Sequence, residues 1–261
     1  MWFAAKPIID EHQLEWQIDT YKWLLDNYGQ RFHNGTYVLV KPTKEHFPDA
    51  CFSKEEVFYN TFIRVKQYAG VLDWPCRLEA QESDIESQIG PTLIVKNTPQ
   101  GPAGTFRYKR SGEALITYNP DLVDDIEGLV STYAHELGHY LTAHCQEPPP
   151  GGWDLWEPAT DLTAVYMGFG IFMANSAFVF KQFTGVGTQG WSAQRRGYLT
   201  SDELLNALAI FVLLKQIPAN EPIRFLKSSL RSRFKKVVKY LKNSQLIEQL
   251  ASNASNLRVV Q

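Results

Sequence analysis

Apolar residues recur at helical spacing across the middle of the chain, with polar residues between them. The apolar positions of this stripe are Leu122, Ile126, Leu129, Val130, Tyr133, Ala134, Leu137, Tyr140 and Leu141. Spacings of three and four residues place side chains on one face of an α-helix. Asn119 followed by Pro120 predicts the start of this helix, because Asn caps a helix and proline fits its first position. The proline- and glycine-rich segment 146–152 predicts its end.

Other parts of the chain show further helical and strand patterns. Helical spacing predicts helices over 11–27 and 54–69. A capping box formed by Thr200 and Glu203 predicts another helix that ends near Gln216. Strand patterns cover 35–41, 91–96, 105–110 and 113–118, and the last two are separated by Ser and Gly, which predicts a hairpin.

These elements predict an α+β fold in which a small mixed sheet and a central helix precede a mainly helical second half. A length of 261 residues suits one large domain or two small ones. We divide the chain into an N-terminal part with the sheet and hairpin (1–118), a central part whose helices carry the candidate site (119–218), and a basic C-terminal helix and tail (219–261).

The central helix carries the pattern H-E-x-x-H, formed by His135, Glu136 and His139. Two histidines four residues apart lie on one helix face, so both imidazoles can bind one metal ion. The glutamate projects about 100° further around the helix, which suits a base that acts on a water molecule beside the metal. The histidines lie roughly opposite the apolar stripe, so we expect them to face a cleft. The alternative is a chance match between two surface histidines and a short pattern.

A zinc ion bound by these histidines needs a third protein ligand. Metzincins continue the motif as H-E-x-x-H-x-x-G-x-x-H, but Thr142 and Cys145 stand here in place of the glycine and the third histidine. Downstream, residues 157–164 read E-x-x-x-D-x-x-A at the start of an apolar helix. Together the two motifs resemble those of the gluzincins, the thermolysin-like and CAAX-prenyl-endopeptidase-like zinc metallopeptidases, over about residues 114–180.

The resemblance implies a zincin-like fold in which Glu157 is the third zinc ligand and Asp161 orients a zinc-binding histidine. Both carboxylates share one helix face, and an imidazole on zinc usually donates its other N–H to such a group. Two alternatives remain open: Asp161 as the ligand itself, and Glu157 as a capping partner of Asp154. Candidate donors to the oxyanion of the reaction are Tyr133, Tyr166, Tyr198, His144 and Arg195.

We therefore predict a zinc-dependent metallopeptidase that hydrolyses peptide bonds with metal-activated water and with Glu136 as general base. Its substrate would be a peptide or protein, which could extend the predicted sheet at the edge beside the zinc. A non-catalytic zinc-binding scaffold or regulatory protein is the main alternative, and a closed fourth position on the zinc would favour it. A membrane-embedded protease is the third interpretation and the one we favour least. It depends on whether residues 162–180 cross a membrane.

Residues 162–180 carry no charge, and their number approaches that of a membrane-spanning helix. The segment also contains the polar residues Thr163, Asn175 and Ser176, and the proposed ligands lie directly before it. A helix that is apolar on most sides can also be the central buried helix of a globular protein. We predict a buried helix, with Asn175 as a hydrogen-bonded core amide and no membrane span.

The segment 222–242 contains only basic charges. They are Arg224, Lys227, Arg231, Arg233, Lys235, Lys236, Lys239 and Lys242, and apolar residues alternate with them at helical spacing. Such a helix can bind nucleic acid, lipid head groups or another anionic partner. It can also be a packed helix with a solvated basic face, which is the interpretation we prefer. The tail after Asn243 is polar and is expected to end in a loosely held segment.

Composition narrows the range of functions. The formal net charge is −2, which argues against a generally basic nucleic-acid-binding protein. Three scattered cysteines without a C-x-x-C pair suit a reducing compartment. The first residues lack the pattern of a secretory signal peptide, so we expect a cytoplasmic protein. The oligomeric state has no signal in the sequence.

Overall fold

The computed structural model describes residues 6–81, 87–88, 94–95, 104–108, 114–183 and 199–256. Its helices are α1 (Glu11–His33), α2 (Lys54–Tyr68), α3 (Ile126–Thr142), α4 (Trp156–Ala164), α5 (Gly170–Phe183), α6 (Ser201–Leu214), α7 (Asn220–Ile223), α8 (Ser228–Asn243) and α9 (Leu246–Asn256). Its strands are β1 (Cys76–Ala80), β2 (Ser87–Gln88), β3 (Ile94–Val95), β4 (Gly104–Tyr108) and β5 (Ala114–Tyr118). The α+β class and the mainly helical second half are confirmed.

The main sheet is small and mixed, as predicted. Its strand order is β1-β5-β4, with β1 parallel and β4 antiparallel to β5. The pair β4 and β5 confirms the predicted hairpin strands, with Gly104 opposite Tyr118, and the turn between them lies outside the described residues. Strand β1 was missed, because Cys76–Ala80 is too mixed in polarity to give a strand pattern. Among the described strands of this sheet, β4 forms the edge nearer to α3.

The predicted strand over 35–41 is wrong. This segment is not a β-strand, and the backbone N–H of Val40 donates to the carbonyl of Gly168 at 3.0 Å. Tyr37 and Val40 are buried against the helical core. The apolar pattern therefore reflects a segment that packs into the core without pairing as a strand.

The central helix begins later than predicted. Asn119 does cap a helical turn, but this turn is the 3-10 segment Pro120–Asp124. Helix α3 starts at Ile126, where the carboxylate of Asp125 accepts the backbone N–H of Gly128 at 2.9 Å. The sequence thus contains two successive capping residues, and the first one starts only the short turn.

Residues 162–176 of the uncharged segment are buried, as predicted, but the segment is not one continuous helix. A π-helical segment, Val165–Phe169, separates α4 from α5. Gly168 has φ +106°, and a Cβ atom there would lie 1.9 Å from the carbonyl oxygen of Val38. The close approach of segment 35–41 therefore requires glycine at the break. Among the helices of the described residues, none has the length and apolar character needed to cross a membrane.

The basic C-terminal segment packs as an amphipathic helix. Helix α8 contacts α6, and its buried stripe consists of Leu230, Phe234, Val237, Val238 and Leu241. The predicted helix over 222–242 is divided, because α7 ends at Ile223 and α8 begins at Ser228. Residues 246–256 form α9, and the end of the tail lies outside the described residues. Buried residues from all three predicted parts belong to one core cluster, and the division into parts stays a prediction.

Candidate metal centre

Helices α3 and α4 approach each other closely at Gly138. A Cβ atom on this glycine would lie 3.1 Å from both the Cγ2 atom and the carbonyl oxygen of Thr160. Helix α4 therefore covers the polar face of α3, and His135, Glu136 and His139 are only 7%, 6% and 7% exposed. Every residue of α3 from 128 to 142 is buried, and the expectation that the histidines face a cleft stays a prediction.

The side chains of His135, His139 and Glu157 meet at one point. The two Nε2 atoms are 3.1 Å apart, and Oε2 of Glu157 lies 3.2 Å from Nε2 of His135 and 3.4 Å from Nε2 of His139. A tetrahedral ion with bonds of about 2.0–2.1 Å separates its ligand atoms by about 3.3–3.4 Å. The three residues therefore form a group that could hold a metal ion.

Asp161 fixes the orientation of the first histidine. Its Oδ1 atom accepts a hydrogen bond from Nδ1 of His135 at 2.8 Å, and its Oδ2 atom accepts the backbone N–H of Leu199 at 2.9 Å. With the proton on Nδ1, the lone pair of Nε2 points toward His139 and Glu157. Asp161 thus occupies the orienting position, one helical turn after Glu157, and both of its oxygens already have protein partners.

Thr160 fixes the second histidine, and the sequence analysis missed this residue. Its hydroxyl donates to the carbonyl of Trp156 at 2.8 Å, and its oxygen lies 3.1 Å from Nδ1 of His139. Because a hydroxyl has only one proton, the threonine must accept from the Nδ1–H of His139. That leaves the lone pair of His139 Nε2 free for a metal. The available signal was the position of Thr160, which follows Glu157 by three residues on one face of α4.

Two aromatic rings surround His139, and these were missed as well. Phe106 on β4 stacks over the imidazole at a centroid distance of 6.2 Å. Trp156 meets it edge to face at 4.9 Å and donates its indole N–H to Thr142 at 2.9 Å. The imidazole is therefore held on two sides by rings and on a third by Thr160, which leaves it little freedom to rotate.

The position of Glu157 separates the ligand interpretation from the capping one. Neither Gly152 nor Leu155, the residues at the N-terminal caps of this region, makes a side-chain capping hydrogen bond. The carboxylate of Glu157 instead contacts both histidines, and it remains half exposed. Hydrogen bonds to His135 and His139 hold the pKa of Glu157 well below its usual value. The group is thus an anion that reaches from solvent into a buried pair of imidazoles.

The two histidines differ in their affinity for protons. Burial disfavours the charged form of both. For His135, hydrogen bonds to Asp161 and Glu157 outweigh burial, so the pKa is raised well above its usual value. For His139, burial dominates and the pKa is lowered. Since a metal ion binds only the unprotonated nitrogen, a proton shared among His135 and its carboxylates competes directly with the metal.

Glu136 stands apart from the three potential ligands, near the sheet. A Cβ atom on Gly104 of β4 would lie 3.2 Å from Oε1 of Glu136 and 2.6 Å from Cγ2 of Thr132. Burial raises the pKa of Glu136 to about 7, although the nearby His135 partly lowers it. A carboxylate with a pKa near neutrality can both take and return a proton at neutral pH.

The candidate oxyanion donors lie elsewhere or outside the described residues. The hydroxyl of Tyr133 contacts the carbonyl of Phe58 at 3.4 Å, and Nδ1 of His144 donates to the carbonyl of Tyr140 at 2.9 Å. Tyr166 is buried among the rings of Tyr21, Phe32 and Tyr37. Arg195 and Tyr198 are outside the described residues. The oxyanion donor stays a prediction.

Comparisons of the chain with models of protein families, with curated proteins and with solved structures found no match.

Proposed function

We propose that this protein is a zinc-dependent metallopeptidase of the gluzincin type. His135, His139 and Glu157 hold the zinc ion, and Glu136 is the general base. The observation that carries this proposal is the triangle of two Nε2 atoms and one carboxylate oxygen, with edges of 3.1, 3.2 and 3.4 Å, next to a buried glutamate on the same helix.

The set of donor atoms favours zinc over other ions. Two neutral imidazoles and one carboxylate are typical of catalytic zinc, whereas Mg²⁺ and Ca²⁺ prefer oxygen ligands alone. His135, His139 and Glu157 would hold the ion, and the half-exposed Glu157 indicates that this side of the cluster is open to solvent, where water or substrate could reach the metal. Zinc at this point would polarise a carbonyl group and lower the pKa of water to about 7.

The protein's own residues supply positioning and proton transfer. Asp161 and Thr160 accept the Nδ1 protons of His135 and His139, so both imidazoles keep the tautomer that a metal requires. Glu136, with its pKa near 7, takes a proton from the attacking water and delivers it to the amine that leaves. Its burial between α3 and β4 keeps bulk water from competing for that proton.

The sheet edge supports a peptide as substrate. Strand β4 is the edge strand nearest α3 among the described strands, and its Gly104 lies against Glu136 and Thr132. An extended peptide that pairs with an edge strand gains backbone hydrogen bonds without regard to its sequence. A peptide bound along β4 would therefore pass close to the general base.

The proposal is tested by metal analysis and peptide hydrolysis on the same preparation. We expect about one zinc per chain and cleavage within a broad peptide library. A chelator should stop the cleavage, and stoichiometric zinc should restore it. Bound zinc without cleavage of any peptide would replace this proposal with a non-catalytic zinc-binding scaffold, and a protein that binds no zinc would refute both.

A further inference from the structure

Trp153 is a large apolar side chain that the structure leaves exposed beside the metal centre. Its side chain is 58% exposed. Its ring meets Trp156 in a T-shaped contact at 5.5 Å, and Trp156 in turn meets His139 at 4.9 Å. A row of rings thus runs from a proposed zinc ligand to the surface, and Trp153 forms its solvent end.

The loop that carries Trp153 has a defined conformation. Gly151 and Gly152 have φ values of +89° and +82°, which residues with a side chain rarely adopt. The N–H of Gly152 donates to the carbonyl of Pro149 at 2.8 Å, and the indole N–H of Trp16 on α1 donates to the carbonyl of Pro150 at 2.9 Å. The exposed ring therefore stands on a braced turn and not on a free loop tip.

This position links the exposed ring to the reaction. Trp156 directly precedes Glu157, whose half-exposed carboxylate marks the open side of the cluster. Two ring contacts separate Trp153 from His139, so the exposed ring lies within reach of a substrate bound at the metal. Tryptophan rings bind apolar and aromatic groups by burying area and by edge or face contacts. A single exposed aromatic side chain needs no functional explanation by itself, but this one continues a ring array that ends on a ligand.

We propose that Trp153 and Trp156 form a substrate subsite that binds an aromatic side chain of the peptide, close to the bond that is cleaved. This inference rests on the proposed peptidase function. The bound side chain covers the exposed face of Trp153, and Trp156 forms the inner wall against His139. The subsite selects aromatic over small side chains at one position of the substrate, while the edge strand β4 holds the backbone of the peptide.

The first experiment uses peptides that differ at one position. Phe, Ala, Arg and Glu are placed in turn on each side of the cleaved bond, and kcat/KM is measured for the wild type and for Trp153→Ala. At the selective position we expect the wild type to favour Phe over Ala, and Trp153→Ala to reduce this ratio by roughly tenfold. Trp153→Phe should restore most of it. Zinc content should stay unchanged, since Trp153 does not contact the ligands.

A matched control is Phe52→Ala. Phe52 is 91% exposed but precedes α2 and is not part of the ring array. Its removal should leave the Phe-to-Ala ratio as in the wild type. An unchanged ratio in Trp153→Ala, an equal loss in Phe52→Ala, or a wild-type preference for Arg over Phe would each overturn the subsite.

A second experiment separates the subsite from the reaction. Hydroxamates bind zinc directly, so the affinities of the phenylalanine and alanine hydroxamates are compared by calorimetry. We expect the phenylalanine compound to bind more tightly to the wild type and to lose that advantage in Trp153→Ala. If the wild type cleaves no peptide but shows this pattern, the peptidase function fails and the subsite stands. If the wild type cleaves peptides and Trp153→Ala changes nothing, the peptidase function stands and the subsite fails. A protein that binds no zinc would overturn both.

Discussion

Helices α3 and α8 are both amphipathic in sequence, but the polar face of α3 is buried whereas the polar face of α8 is exposed to solvent. Helix α8 buries its apolar stripe on α6 and leaves Arg231, Lys235, Lys236 and Lys239 in solvent. Helix α3 buries its apolar stripe as well, but its polar face, with the H-E-x-x-H residues, is covered by α4. Of these two helices, therefore, only α3 buries ionisable groups.

Burying such groups is unfavourable unless they have partners, and the effective cost for an ion is several kcal/mol. In α3 the partners come from one short helix, where Glu157, Thr160 and Asp161 meet the two histidines. The charged side chains of α8 need no buried partners, because water solvates them and Arg233 pairs with Asp202 of α6. The comparison teaches that polar residues with buried partners, and not amphipathic spacing in general, distinguish the helix of the candidate metal centre.

The largest effect should follow from removing a ligand on α3. His135→Ala or His139→Ala leaves two of the three donor atoms, so each should abolish stoichiometric zinc in the purified protein. The matched control is His144→Ala, which removes a histidine two residues beyond α3 that bonds to Tyr140. Full zinc content in both ligand variants would show that the triangle is not a metal site.

Removal of Glu157 should lower the zinc affinity more than removal of Asp161. Glu157→Ala removes a donor atom, whereas Asp161→Ala removes only the acceptor behind His135, and such a loss typically lowers metal affinity by about 10–100-fold. Titration with a competing chelator measures both. Because Asp161 also holds the N–H of Leu199, thermal unfolding is recorded alongside. A greater loss for Asp161→Ala in a folded protein would make Asp161 the ligand.

Thr160→Val should weaken zinc binding by roughly tenfold, near the lower end of the range for such orienting partners. Valine keeps the shape of threonine but cannot accept the Nδ1 proton of His139. Thr160→Ser keeps the hydroxyl and is the matched control, with affinity close to that of the wild type. Equal affinities for the valine and serine variants would mean that the packed rings alone orient His139.

The smallest effect is expected on α8. Charge reversal at Lys235, Lys236 and Lys239 should leave zinc content and peptide cleavage unchanged and should alter the free energy of unfolding by about 0.5 kcal/mol or less, as surface substitutions usually do. Loss of a reproducible interaction with nucleic acid or anionic lipid would contradict the interpretation of a solvated face. A nucleic-acid interaction should also weaken steeply with salt.

The elements that could be predicted from the sequence are those set by local spacing. The i, i+4 histidines, the capping box at Thr200 and the amphipathic stripe of α8 are properties of neighbouring residues, and the structure contains all three. Asn175 also lies as expected, because its amide donates to Glu127 and to the carbonyl of Phe225 and accepts from Lys227.

The features that could not be predicted depend on contacts between distant parts of the chain. The break at Gly168 exists because the carbonyl of Val38 approaches it, and nothing near Gly168 in the sequence announces that approach. Segment 35–41 has a strand-like sequence, but the N–H of its Val40 donates to Gly168 and not to a neighbouring strand. Thr160 was missed because its role requires the Gly138 contact that brings α4 onto α3.

The most direct test of the central claim is the comparison of wild type with Glu136→Gln. Glutamine has almost the same shape as glutamate but cannot take a proton from water. The variant should keep the fold and about one zinc per chain, and its peptide hydrolysis should fall by roughly 10²–10⁴-fold. Equal hydrolysis by the two proteins, each with full zinc, would contradict the assignment of Glu136 and the proposed mechanism.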